Sequence, residues 1–75
     1  MIQVNSKLTK SRNPIELGFK LENQKGTIVH RLDDGYNLIE FKQFQTKQQV
    51  KENRIKKWVF VALQWYVHND DLKIL

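Results

Sequence analysis

Cysteine is absent from the chain, which excludes disulfides and cysteine-based zinc sites. It also removes any reason to place the protein outside the cell, and the cytoplasm is the expected location. Long apolar runs are missing as well. The longest, residues 58–63, is followed by Gln64 and is far short of the ~20 residues a membrane span needs. The N-terminus alternates as Met1-Ile2-Gln3-Val4-Asn5-Ser6-Lys7 and does not read as a signal peptide. Glycine is scarce and isolated, at Gly18, Gly26 and Gly35, so no phosphate-cradling loop is present.

Acids are scarce in one place. Segment 42–57 holds Lys42, Lys47, Lys51, Arg54, Lys56 and Lys57 against the single acid Glu52. The rest of the chain carries seven bases and seven acids, so the whole net charge of +5 resides in this segment. A localised excess of this kind suits a polyanion or an acidic protein surface. A solvated face is the plainer alternative.

The 75 residues make one domain, 1–75, with a small core. At roughly 1.5 kcal/mol of conformational entropy per ordered residue, such a core barely offsets the cost of folding. Residues 1–8 read as a strand with Ile2, Val4 and Leu8 on one face. Residues 9–14 form a polar loop ending in Asn13-Pro14. In 15–22, Ile15, Leu17, Phe19 and Leu21 alternate with Glu16, Gly18, Lys20 and Glu22, which is strand periodicity. Residues 27–32 and 36–42 flank Asp33-Asp34-Gly35 as a hairpin. A two-residue loop sets Ile28 opposite Phe41 and His30 opposite Ile39, whereas a three-residue loop sets Val29 opposite Ile39. The stretch from Gly26 to Phe41 is similar to the central hairpin of many small five-stranded barrels, a resemblance that implies no function.

The spacing predicts one long helix over residues 46–69. Thr46-Lys47-Gln48-Gln49 matches a capping box, and Ile55, Trp58, Val59, Ala62, Trp65 and Tyr66 fall at helical intervals. The rival is a short helix followed by a strand from Trp58, because Trp58-Val59-Phe60-Val61 is rich in β-formers. The tail 72–75 reads as a short strand or as packing on the helix end. The expected fold is therefore α+β: a four-stranded antiparallel meander followed by one long C-terminal helix, ββββα.

On that helix Phe60 and Val61 lie outside the apolar stripe. With Trp65 they are the candidate anchors for another chain, most simply in a homodimer. Lys47, Lys51 and Arg54 share a side leading into Trp58, an arrangement that suits phosphates with a ring available for stacking.

Chemistry is not visible. His30 reads as structural, and His68 lies near Asp70 and Asp71 without a third group or a pocket. Asp33/Asp34 and Asp70/Asp71 read as turn formers. No catalytic residue, metal site or cofactor is expected. The expected function is a non-enzymatic nucleic-acid-binding module, for DNA or RNA, using Lys42, Lys47, Lys51, Arg54, Lys56 and Lys57, with Lys10 and Arg12 extending the patch. The alternatives are a small inhibitor or assembly subunit docking on an acidic protein, and a structural homodimer.

Overall fold

A computed structural model describes all residues, 1–75. It contains five strands: β1 (Ile2–Val4), β2 (Lys25–Arg31), β3 (Tyr36–Glu52), β4 (Ile55–His68) and β5 (Leu72–Ile74). They form one antiparallel sheet in the order β4-β3-β2-β1-β5. Two 3-10 turns, Ile15–Leu17 and Asn69–Asp71, are the only helical pieces. No helix is long and apolar enough to cross a membrane.

The expected helix over 46–69 is not formed, and with it the ββββα architecture is replaced by an all-β one. The reason is legible in the side chains. Ile55, Val59, Val61, Leu63, Trp65 and Val67 recur at every second residue but for Lys57, so period two fits β4 at least as well as period 3.6. Val61, which falls off the helical stripe, falls on the inward face once the period is two. Between the strands, Asn53 and Arg54 both adopt positive φ, 51° and 66°. That is the signature of a type I′ two-residue turn, whose twist matches the flanking strands. Thr46, the supposed helix cap, lies inside β3 opposite Val61.

The strand expected over 15–22 is also absent. Ile15–Leu17 is a 3-10 turn closed by Gly18 in the left-handed region, φ 66°. Ile15 and Leu17 stay exposed while Phe19 and Leu21 turn inward. The tail takes the strand alternative, as β5 pairing with β1.

Topology dictates curvature. β4 and β5 lie at opposite edges of the sheet yet are joined by three residues, Asn69–Asp71. Five flat strands would set those edges roughly 19 Å apart, more than so short a link spans. The sheet must curl until its edges approach at this end. Its concave face holds the core: Ile2, Val4, Phe19, Leu21, Ile39, Phe41, Leu63 and Val67, with Leu8, Ile28, Phe44, Trp65 and Leu72 packed around them. Phe19 enters from the long β1–β2 connection and meets the rings of Phe44 and Phe41 at 4.3 and 5.3 Å. Gly26 permits the close crossing of β2 over β3, since a Cβ there would sit 2.6 Å from a methyl of Ile39.

The β2–β3 hairpin uses the three-residue loop, with Leu32 N–H donating to the Tyr36 carbonyl. A bulge at Val29 then shifts the ladder, so Ile28 faces Ile39, a register neither expectation contained.

Candidate nucleic-acid interface

The basic segment becomes an arm. β2 accompanies β3 only as far as Thr27 opposite Glu40. Just beyond, Phe41 pairs with Leu63 but Gln45 pairs with Ala62, so residues 42–44 bulge out of β3 with no counterpart on β4. Phe44 is the bulge residue that folds inward, onto Phe19. Past the bulge β3 and β4 continue alone through eight pairs, from Gln45–Ala62 to Glu52–Ile55. The molecule is accordingly elongated, 42 × 26 × 20 Å.

A bulge of odd length reverses which β3 residues face the core side. Before it the inward residues are Asn37, Ile39 and Phe41; after it they are Thr46, Gln48, Val50 and Glu52, opposite Val61, Val59, Lys57 and Ile55. The outer face of the arm carries Gln45, Lys47, Gln49 and Lys51 opposite Ala62, Phe60, Trp58 and Lys56. The charges are sorted between the two faces. Inside, Lys57 pairs with Glu52 at 2.6 Å and the face is neutral. Outside there are three lysines and no acid, with Arg54 in the turn at the tip.

On this outer face Trp58 is 59% exposed and Phe60 72%. The Lys47 ammonium stands 5.2 Å from the centre of the Trp58 ring, a cation–π contact. Lys51 and Lys56 are direct cross-strand partners, a juxtaposition of like charges that disfavours the isolated strand pair. No carboxylate lies within ion-pair distance of Lys42, Lys47, Lys51, Arg54 or Lys56.

The remaining expected site residues disperse. Lys42 lies exposed in the bulge, where its carbonyl accepts from the Gln45 side chain at 2.9 Å. Lys10 and Arg12 sit at the root of the hairpin, at the far end of β4 from the tip. Lys10 is occupied by Asp70 at 2.8 Å, and their shared hydrogen bond raises the Lys10 pKa and lowers that of Asp70. Arg12 lends its carbonyl to the Trp65 indole N–H, 2.8 Å away. The three candidate interface anchors share no surface: Phe60 points outward, Val61 inward, and Trp65 packs against the core.

The root has its own electrostatic centre at Asp71, a residue whose place in Asp70-Asp71 marks it only as a turn former. Asp71 is fully buried. Its carboxylate accepts from Thr9 N–H and hydroxyl at 2.7 Å each, from Ser11 N–H at 2.6 Å and from Lys10 N–H at 3.1 Å. Burial works against the charge, but the hydrogen bonds from Ser11 and Thr9 outweigh it and hold the Asp71 pKa far below the usual carboxylate range. This nest ties loop 9–11 to the start of β5. His68, expected at a helix end, instead caps the 3-10 turn: its Nδ1 accepts from Asp70 N–H at 3.0 Å. No group of three His, Asp or Glu side chains is close enough together to hold a metal ion.

No protein-family model matches this chain, and no curated protein and no solved structure matches it either, so the arm must be read from its own chemistry.

Proposed function

We propose that the protein is a nucleic-acid-binding module whose contact surface is the outer face of the β3–β4 arm. Lys47, Lys51, Arg54 and Lys56 take phosphates, and Trp58 and Phe60 offer their faces to unpaired bases. The observation that carries the reading is the exposed pairing of cations and rings on one side of a projecting ribbon. Trp58 stands opposite Gln49, between Lys47 and Lys51 along the neighbouring strand. Phosphate contacts supply affinity and aromatic stacking tolerates any base, which is the combination found in single-strand binders. The direct Lys51–Lys56 opposition supports the same conclusion. It is unfavourable in the free chain and relieved when a polyanion lies across it.

The test is a fluorescence titration with single-stranded RNA and DNA at several salt concentrations. Trp58 is the exposed reporter, whereas Trp65 is held by Arg12 at the root. Quenching should occur, with a log–log salt slope near −3 for four phosphates at about 0.7 each. Lys51→Glu with Arg54→Glu should abolish it. An absence of binding at low salt would overturn the reading and leave an acidic protein as the partner to seek. A duplex preference without quenching would remove the stacking role.

A further inference from the structure

Beyond the bulge the arm is a two-stranded ribbon, and an isolated pair of strands is marginal in water. It has two open edges. That of β3 starts at Gln45 and runs through Lys47, Lys51 and Glu52, with Gln48 and Gln49 between them, the charged and polar composition that discourages further pairing. That of β4 is different. From Trp58 to Leu63 it carries no charge at all, and its only ladder is with β3. No backbone hydrogen bond outside the strand ladders reaches any residue of 55–67. A long, uncharged edge of this kind is a template for one more strand.

From this we infer that the β4 edge pairs with the β4 edge of a second copy of the chain, antiparallel, about a two-fold axis at Phe60. Side chains fix the choice of occupant and register. A two-fold axis normal to the sheet keeps inner residues with inner and outer with outer, so paired residue numbers must share parity. With the axis at Phe60, Phe60 meets Phe60 of the partner subunit on the outer face. Val59 meets the partner subunit's Val61 on the inner face, twice by symmetry. Aromatic and β-branched pairs of this sort favour pairing. The lysines avoid one another: Lys56 falls opposite Gln64 and Lys57 opposite Leu63. The edge is thus complementary to itself in both shape and charge.

The resulting ten-stranded sheet keeps both outer faces on one side, so Trp58, Phe60 and their lysines remain open in each copy.

Light scattering on the full chain without nucleic acid tests the pairing. The expected mass at about 100 μM is twice 9.0 kDa. A mass of one chain persisting to about 1 mM, where even a millimolar Kd would leave much of it paired, would overturn it. Single-cysteine variants test the register, since the native chain has no thiol. Mild oxidation should crosslink Phe60→Cys to itself but not Gln49→Cys, whose copies would lie about 20 Å apart, three strand spacings across and four residues along. A dimer linked through Gln49→Cys instead, or through neither, would refute the β4 edge. Phe60→Lys should return the mass to one chain while the Trp65 emission of the folded root is retained.

Discussion

At its root the β3–β4 hairpin pairs Asn37, Ile39 and Phe41 with Val67, Trp65 and Leu63, and all but Trp65 are fully enclosed. Past the bulge the same two strands make eight more pairs, and not one residue is fully buried. The same two strands run through both halves, on either side of the bulge. What differs is the third strand and the covering loop, which stop at the bulge. The comparison separates two things a hairpin does. A ladder of hydrogen bonds sets geometry but adds little net free energy, whereas burial of the root's side chains supplies most of the stability. The arm is free to carry unfavourable surface features, a lysine pair and bare rings, because the fold does not depend on it.

The largest effect should come from the root. Phe41→Ala removes a fully buried ring in contact with Phe19 and should cost about 3–5 kcal/mol, a large share of the stability of a domain this small. Phe60→Ala, the matched change in the arm, should stay within about 0.5 kcal/mol when both proteins are measured dilute enough to be single chains. Urea denaturation followed by Trp65 emission compares the two. Equal losses would mean that the arm is part of the cooperative core and that the division is false.

Next comes the carboxylate that fastens loop 9–11. Asp71→Asn presents an amide donor to three backbone N–H groups and a hydroxyl, and should cost about 3 kcal/mol. The pH dependence follows from the direction of its shift. Because the folded-state pKa lies below the ordinary value near 3.8, Asp71 contributes its full stabilisation above that value. The contribution is lost as pH falls from about 4 downward, as the unfolded chain takes up the proton first. Wild-type stability should therefore drop in acid with a component that Asp71→Asn lacks. An identical acid profile in the variant would show that the nest does not hold a charged carboxylate.

The same division explains what the sequence disclosed. The β2–β3 hairpin was legible because Asp33-Asp34-Gly35 is a turn signal with a backbone cause: Gly35 sits at φ 89°, and a Cβ there would crowd the His68 ring. The charge concentration was legible because it needs no conformation to be counted. The arm itself was not. Apolar residues at 55, 58, 59, 62, 65 and 66 satisfy a helical period while those at 55, 59, 61, 63, 65 and 67 satisfy a strand period, and only a partner strand arbitrates. Asn53-Arg54 lacks the glycine that usually marks a type I′ turn, so the reversal at the tip left little trace. Lys47, Lys51 and Trp58 were expected on one side and are on one side, though by cross-strand adjacency and not by helical pitch. That Lys10 and Arg12 lie at the root, apart from the arm, was not legible, because nothing local shows that the Lys10 ammonium pairs with Asp70 or that the Arg12 carbonyl accepts from Trp65.

A smaller and more pointed effect belongs to the exposed ring. Trp58→Ala should lower affinity for single-stranded nucleic acid by about 1–3 kcal/mol and leave the salt slope unchanged, since stacking is lost and no charge is. Lys10→Ala, at the root, should leave affinity as it was. A loss from Lys10→Ala equal to that from Trp58→Ala would place binding on the whole basic surface and dissolve the distinction between arm and root.

The smallest change is the most discriminating. Arg54 occupies the second position of the tip turn with φ 66°, a conformation that costs an L-residue other than glycine or asparagine roughly 1 kcal/mol. Arg54→Gly relieves that cost and also deletes one cation. The two consequences pull in opposite directions. The arm should become more ordered, seen as slower amide exchange across 45–62 with exchange at the root unaltered. Binding should nonetheless weaken, and the salt slope should become shallower by about 0.7, the share of one phosphate. A slope that does not move would show that the tip touches no phosphate, while the rest of the outer face keeps its role. Unchanged exchange would show that the turn does not limit the order of the arm.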